Sequence, residues 1–270
     1  MGQLFNAKSF YQSQLDARGG IELRLGDSLQ LMAAMDPNSV DLIVTSPPYN
    51  LNIDYDSIQD NREDKDYFDW LKSIWSQCYR LARTGTRLCV NGPMWTRHNS
   101  FWAYKCWTAM AEAGWKFYTI ITWHKTEVPA KTAFGSFGSP SQPYIPNPDE
   151  VILVGYKDSP NNAANGRQPI ITPDEFVHWV KGSWDIMPES ATKIGHPAPY
   201  PPQLVERLIK LLAYKGDLVL DPFNGSGTTG VVAVQLGCRY IGLDISQNYL
   251  DLSRKRIFEA LSTRLPAPKV

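Results

Sequence analysis

Apolar and polar positions along the chain predict strands and helices taking turns. Ile21-Glu22-Leu23-Arg24-Leu25 alternates with period two and stops at Gly26-Asp27, as a half-buried strand does. Ser28 can cap a short helix running to Met35. Val40-Asp41-Leu42-Ile43-Val44 is an almost continuous apolar run stopped by Pro47-Pro48, so it predicts a buried strand. Over 64–83 the apolar positions Phe68, Leu71, Trp75, Tyr79 and Leu81 recur at helical spacing, closed by Gly85. Arg87-Leu88-Cys89-Val90 reads as a strand, 98–113 as a helix ending at Gly114, and 117–123 and 151–156 as two more strands. The rest repeats the rhythm: helix 202–214, strand 218–220, helix 228–236, strand 240–243 and a closing helix 247–262.

Strands separated by helices imply an α/β fold: a mostly parallel, Rossmann-like sheet with helices on both faces. Two stretches break the rhythm, 125–149 and 157–201. With Pro202 at their edge they hold 13 of the 20 prolines, so they are expected to be long ordered loops. Insertions of that kind in a regular α/β chain usually serve function.

Composition narrows the class. The 270 residues are 43% hydrophobic and 20% charged, enough apolar surface for a core and too much for a disordered chain. No apolar run reaches the ~18 residues of a membrane span. Met1 to Asn6 lacks the pattern of a signal peptide. Cys78, Cys89, Cys106 and Cys238 are scattered without a C-x-x-C, which argues against a disulfide scaffold and fits a reducing cytoplasm. His98, His124, His178 and His196 show no ligand spacing, so no metal is expected. The 27 basic and 27 acidic residues cancel, but unevenly: residues 54–69 carry seven acids and two bases, residues 70–131 nine bases and two acids. The acidic stretch is expected to be a mobile surface segment or a lid.

The first chemical signal is Leu218-Val219-Leu220-Asp221-Pro222-Phe223-Asn224-Gly225-Ser226-Gly227-Thr228-Thr229-Gly230, a strand entering a glycine turn and then a helix. Glycine there lets the backbone approach a ligand, and the next strand ends at Asp244, placed to take two ribose hydroxyls. Gly225, Gly227 and Gly230 spell the dinucleotide fingerprint G-x-G-x-x-G. Asp221, however, stands where a carboxylate would repel a pyrophosphate and would suit the amino group and sulfonium of S-adenosylmethionine.

The second signal is Thr45-Ser46-Pro47-Pro48-Tyr49-Asn50, directly after a buried strand. Two prolines without N–H groups present carbonyl acceptors at a strand's carboxyl end, where α/β proteins bind ligands. The Ser46 hydroxyl adds an acceptor and Tyr49 a flat ring, a set that suits an amino group on a planar heterocycle.

In this order the two motifs resemble the β-class DNA amino-methyltransferases of restriction-modification systems, in which S-P-P-Y or D-P-P-Y precedes F-x-G-x-G. Gly26-Asp27 resembles the family's acidic motif for the cofactor adenine. Trp123-His124-Lys125 resembles a W-x-K strand end. Gly182-Ser183-Trp184-Asp185 and His196-Pro197-Ala198-Pro199-Tyr200-Pro201 resemble the approach to the cofactor motif. The resemblance covers about residues 20–260. It implies one permuted domain over 1–270 that methylates duplex DNA on a base swung out of the helix, with 125–149 and 157–195 as target-recognition insertions. Cofactor contacts are then expected from Asp27, Thr45, Asp221, Pro222, Phe223, Asn224, Gly225, Gly227, Asp244 and His196. Catalysis falls to Ser46, Pro47, Pro48 and Tyr49. Lys125, Lys131, Gln142, Asn161, Asn162, Asn165, Arg167 and Gln168 could read base edges.

An exocyclic amine is a poor nucleophile because its lone pair is delocalised. Acceptors at Ser46 and the Pro47 carbonyl can hold its hydrogens in the geometry that frees the lone pair, and positioning supplies much of the rest. Tyr49 would stack on the flipped base. Methylation of cytosine carbon would need a Pro-Cys nucleophile, which is missing. Within the resembling family, serine before P-P-Y and the H-P-A-x-Y-P run lean toward cytosine N4, with adenine N6 as the alternative. A dinucleotide-dependent oxidoreductase would leave Ser46 to Tyr49 unexplained, and a binding module without catalysis would predict a degraded site. A bacterial or archaeal cytoplasmic enzyme is expected, with a restriction endonuclease and a second copy of the chain as candidate partners.

Overall fold

A computed structural model describes residues 20–55, 58–96, 101–126, 135–143, 147, 149–190, 194 and 199–262. The strands are β1 (Ile21–Leu25), β2 (Val40–Thr45), β3 (Asp54–Tyr55), β4 (Ile58–Gln59), β5 (Ala82–Pro93), β6 (Lys116–Lys125), β7 (Glu150–Tyr156), β8 (Ser183–Ile186), β9 (Leu218–Asp221) and β10 (Arg239–Asp244). The helices are α1 (Ser28–Ala33), α2 (Asp64–Leu81), α3 (Trp102–Glu112), α4 (Pro173–Trp179), α5 (Pro202–Leu212), α6 (Thr228–Gln235) and α7 (Gln247–Ser262).

Eight strands form one sheet in the order β1-β10-β9-β2-β5-β7-β6-β8, and β3 and β4 form a small hairpin. Within the eight-stranded sheet all neighbouring pairs are parallel except those of β7, which runs against both β5 and β6. Because both faces are covered, successive strand residues enter opposite cores. Leu88, Val90, Val151 and Leu153 pack with Met32, Leu71, Trp75, Trp102 and Cys106. Cys89, Ile152 and Val154 pack with Leu204, Leu208, Val232, Ala233 and Ile257. α1, α2 and α3 therefore line one face, and α5, α6 and α7 the other.

The reversed β7 decides what lies near what. Its first residue, Glu150, pairs with Pro93 and Trp123 at the carboxyl ends of β5 and β6, whereas Tyr156 pairs with Arg87 and Lys116 nearer their starts. Tyr156 lies level with Leu42 through Arg87, so at roughly 3.3 Å per residue the chain leaving it starts about 10 Å short of the edge where Thr45 and Asp221 end their strands, and it runs away from that edge. It is anchored at this far edge. Lys157 Nζ donates to Asn38 Oδ1 at 3.0 Å and to the Ala82 carbonyl at 2.8 Å. Asn162 Nδ2 donates to the Leu212 carbonyl, and Arg167 pairs with Asp217 at 2.8 Å. The backbone carbonyl of Gln168 accepts from Lys215.

Several expectations need correction. The stretch 157–201 is not loop throughout but contains α4 and β8. Its signal was Thr172-Pro173-Asp174-Glu175, which forms a capping box with proline in the first turn. Asp27, not Ser28, caps α1, accepting from the Gln30 amide at 3.1 Å. Gly85 does not close α2: the chain leaves the helix at Ala82 in an extended conformation, and Gly85 lies within β5. The acidic stretch divides into the β3–β4 hairpin and the first turns of α2. Its stem is fixed, because buried Asp60 accepts from the Asn50 and Leu51 amides at 2.7 and 2.9 Å. Asn50 and Arg62 add a reciprocal pair of hydrogen bonds. No helix among the described residues is long and apolar enough to cross a membrane, and no metal-ligating cluster occurs among them.

Candidate active site

β9 delivers the glycine turn to the carboxyl edge of the sheet. Gly225 and Gly227 have φ of 48° and 77°, the left-handed region that glycine enters at little cost. The turn is pre-formed. The Asn224 amide donates to the Leu243 carbonyl at 2.9 Å, and the Gly225 amide to Asp244 Oδ2 at 2.7 Å. Asp244 Oδ1 accepts from the Ser246 amide, so this carboxylate clamps the turn to the end of β10. The Asn224 side chain is buried under the turn, accepting from Tyr240 and Ser253. A side chain at Gly227 would collide with Ser253, and one at Gly230 with Tyr240 and Ile257. Gly230 therefore serves helix packing. The Pro222 carbonyl accepts from Ser28 at 2.5 Å, joining α1 to the turn, and Phe223 packs against Trp70 and Trp75.

Asp221 is fully buried. Its Oδ1 accepts from Thr45 Oγ1 at 2.7 Å and the Phe223 amide at 3.0 Å; its Oδ2 accepts from Thr229 at 2.8 Å and Tyr200 at 3.2 Å. Burial pushes its pKa up to about 6 even though these donors favour the charged form. The expected direct contact with a cationic ligand is not what this geometry offers. Asp221 holds the ends of β2 and β9 together, and its charge acts on the site from beneath.

β2 delivers the second motif to the same edge. Ser46 Oγ and Tyr49 OH lie 2.8 Å apart. Tyr49 OH is 3.1 Å from Glu150 Oε2, and Asn91 Nδ2 donates to both, at 2.9 and 2.7 Å. Lys125 Nζ forms an ion pair with Glu150 Oε1. Asn91 is 3% exposed, and its Oδ1 has no hydrogen-bond partner among the described residues. The Pro48 carbonyl is taken by Tyr67 at 2.6 Å, and Trp102 Nε1 supports that tyrosine at 3.1 Å. No hydrogen bond within the described residues reaches the Pro47 carbonyl. Tyr49 is 9% exposed, its ring tilted at 60° to Trp102, so it is packed into the protein rather than standing free as a platform.

The two motifs, 176 positions apart at Thr45 and Asp221, thus end side by side, with β2 paired to β9 through Leu42–Val219 and Ile43–Leu220. Asp27 and Asp244 stand at the carboxyl ends of β1 and β10 around the glycine turn. Among the described residues no salt bridge neutralises Asp27 or Asp221. A group of carboxylates beside a glycine turn suits a cationic nucleoside with hydroxyl and amine donors and opposes a pyrophosphate. S-adenosylmethionine fits that chemistry. His196 and Lys131 lie outside the described residues. Asn91 and Glu150 were missed in the sequence: each reads as the flank of a strand, and only strand register brings them under Tyr49.

The DNA methylase family profile, covering N6 and N4 enzymes, matches residues 40–255. The chain is 37% identical over 161 residues to the type II methyltransferase M.MjaVI of Methanocaldococcus jannaschii, covering 58% of this chain and 82% of that protein. It is 29% identical over 262 residues to the DNA adenine methyltransferase YhdJ of Escherichia coli K12, covering 86% and 81%. It superposes with a TM-score of 0.70 on TTHA0409 of Thermus thermophilus in complex with S-adenosyl-L-methionine. That protein, regarded as a DNA modification methylase, is 25% identical, and the match covers 89% of this chain and 96% of that one.

Proposed function

This chain belongs to the S-adenosylmethionine-dependent DNA amino-methyltransferases of restriction-modification type, and from that premise we propose that it methylates the exocyclic N4 amine of cytosine in duplex DNA. The observation that carries the reading is the Thr45–Asp221 hydrogen bond of 2.7 Å, which seats the Ser46–Tyr49 loop against the glycine turn at one sheet edge. Bound S-adenosylmethionine supplies an electrophilic methyl group on a cationic sulfur.

The chain's own residues do the rest. Asp27 and Asp244, with the turn at Pro222, Phe223, Gly225 and Gly227, hold the nucleoside end. Thr45, Asp221 and Asn224 fix the shape of that turn. Ser46 Oγ and the Pro47 carbonyl accept the two amine hydrogens, and Pro48 sets the loop by its bond to Tyr67. Tyr49 backs the flipped base. Lys125 is committed to Glu150, and 157–169 is anchored at the far edge, so base reading is assigned to the rest of 125–149, including exposed Gln142, and to 173–195. A cognate endonuclease is the expected partner.

Cytosine is favoured over adenine by the neutral hydroxyl at Ser46, which accepts from the amine without placing charge beside the ring nitrogen, and by the His196–Pro201 run. The YhdJ relative is named for adenine and pulls the other way. Incubating unmodified DNA with labelled S-adenosylmethionine, then digesting it to nucleosides, is expected to yield label in N4-methyldeoxycytidine. Label confined to N6-methyldeoxyadenosine would reverse the choice of base, and unlabelled nucleosides would end the reading.

A further inference from the structure

We propose that Glu150 is the end of a relay, Ser46–Tyr49–Glu150, that orients the Ser46 hydroxyl as an acceptor for the substrate amine and takes up the proton released by methylation. The proposal rests on the amino-methyltransferase reading and holds for either base.

The direction of the hydrogen bonds carries it. Glu150, ion-paired with Lys125, is an acceptor-only carboxylate. Its contact with Asn91 at 2.7 Å fixes the amide nitrogen on that side, so Asn91 also donates to Tyr49 O. Tyr49 has one proton, and at 3.1 Å it goes to Glu150. The 2.8 Å contact between Ser46 and Tyr49 must then be a donation from Ser46. The other acceptor for the Ser46 proton, the Asn91 carbonyl, is more distant at 3.4 Å. With its proton directed inward, half-buried Ser46 offers lone pairs outward. An amine hydrogen needs that partner, whereas a hydroxyl proton pointing outward would oppose it.

The same chain balances the reaction. The N–C bond forms as the S–C bond breaks, and the S–C electron pair leaves with sulfur. The substituted nitrogen then carries one proton too many. That proton moves to Ser46 Oγ as the Ser46 proton moves to Tyr49 O and the Tyr49 proton to Glu150. Ser46 and Tyr49 are unchanged, one positive charge is lost at sulfur, and one negative charge is lost at Glu150. The groups facing Glu150 are Lys125 from β6, Tyr49 from the catalytic loop and Asn91 from β5, with the His124–Asp149 pair one position along the strands. Glu150 acts through Tyr49 and is a positioning residue.

Glu150→Gln keeps the size but lets the side chain donate to Tyr49, reversing the chain; Tyr49→Phe cuts it. The test is single-turnover methyl transfer to DNA against pH, with S-adenosylhomocysteine affinity and DNA affinity measured alongside. Each variant is expected to lose about 10²-fold in rate, with both affinities within threefold of the parent. The parent's dependence of rate on pH is expected to be altered in both. The double variant is expected to be no slower than the slower single one, as for groups acting as a unit. Rates within threefold of the parent, losses that multiply, or an unchanged pH profile would each overturn the relay. If E150Q does not fold, the rate and pH profile of Tyr49→Phe decide alone. Product identity is read by digesting the methylated DNA to nucleosides, so label in N6-methyldeoxyadenosine together with these losses would correct the base and keep the relay.

Discussion

Ser46→Ala is expected to lower single-turnover methyl transfer by about 10³-fold, within the range a positioned proton acceptor contributes, while S-adenosylhomocysteine binds as before. The substitution removes the acceptor facing the amine and leaves Thr45, Asp221 and the glycine turn in place. Tyr49 keeps its bonds to Asn91 and Glu150, so the fold of the loop is expected to survive. Calorimetric titration with S-adenosylhomocysteine, beside a quenched-flow measurement of transfer, separates the two effects. Weakened cofactor binding with an unchanged rate would place Ser46 on the cofactor side and remove it from the chemistry.

The second large effect is expected at the glycine turn. Gly227 has φ of 77°, and a Cβ there would lie 3.0 Å from the Ser253 backbone while colliding with the Ser253 side chain. An alanine in left-handed backbone costs about 1–2 kcal/mol, and forced contact in a packed region adds about 1–3 kcal/mol. At roughly 2–4 °C per kcal/mol for a chain of this size, Gly227→Ala is expected to lower Tm by about 10 °C. It is also expected to weaken S-adenosylhomocysteine binding by at least about tenfold, because the turn must lift off α7. Gly216→Ala is the control: it has the same hand of backbone, φ 84°, with nothing within 4 Å of the added Cβ. It should show the backbone cost with unchanged cofactor affinity. Equal losses in the two variants would show that close packing under the turn does not set the cofactor site.

The pairing of the two site halves was legible because each chemical motif sits at the end of a buried apolar strand. Val40–Thr45 and Leu218–Asp221 read as strands without help from the rest of the chain, and a parallel sheet puts such ends on one edge. The sense of the strand 151–156 was not legible. Nothing local to Glu150–Tyr156 distinguishes a reversed strand from a parallel one, yet the reversal carries Asn161, Asn162 and Arg167 to the far edge and brings Glu150 beneath Tyr49. Proline content hid α4 and β8, although Thr172 and Glu175 carried the capping pattern in plain view. Asp221 was legible as important but not in its role. An acid beside a glycine turn reads as a ligand contact, and only its four donors show that it serves to join strands.

The central claim is that the edge where β2 and β9 end is a single site for cofactor and base. A crystal structure of the protein with S-adenosylhomocysteine tests it most directly. The expected result places the ribose at Asp244, the adenine beside Asp27 and Phe223, and the sulfur facing the Ser46–Tyr49 loop. Ligand bound away from the glycine turn, or with its sulfur turned from Ser46 and Pro47, would contradict it.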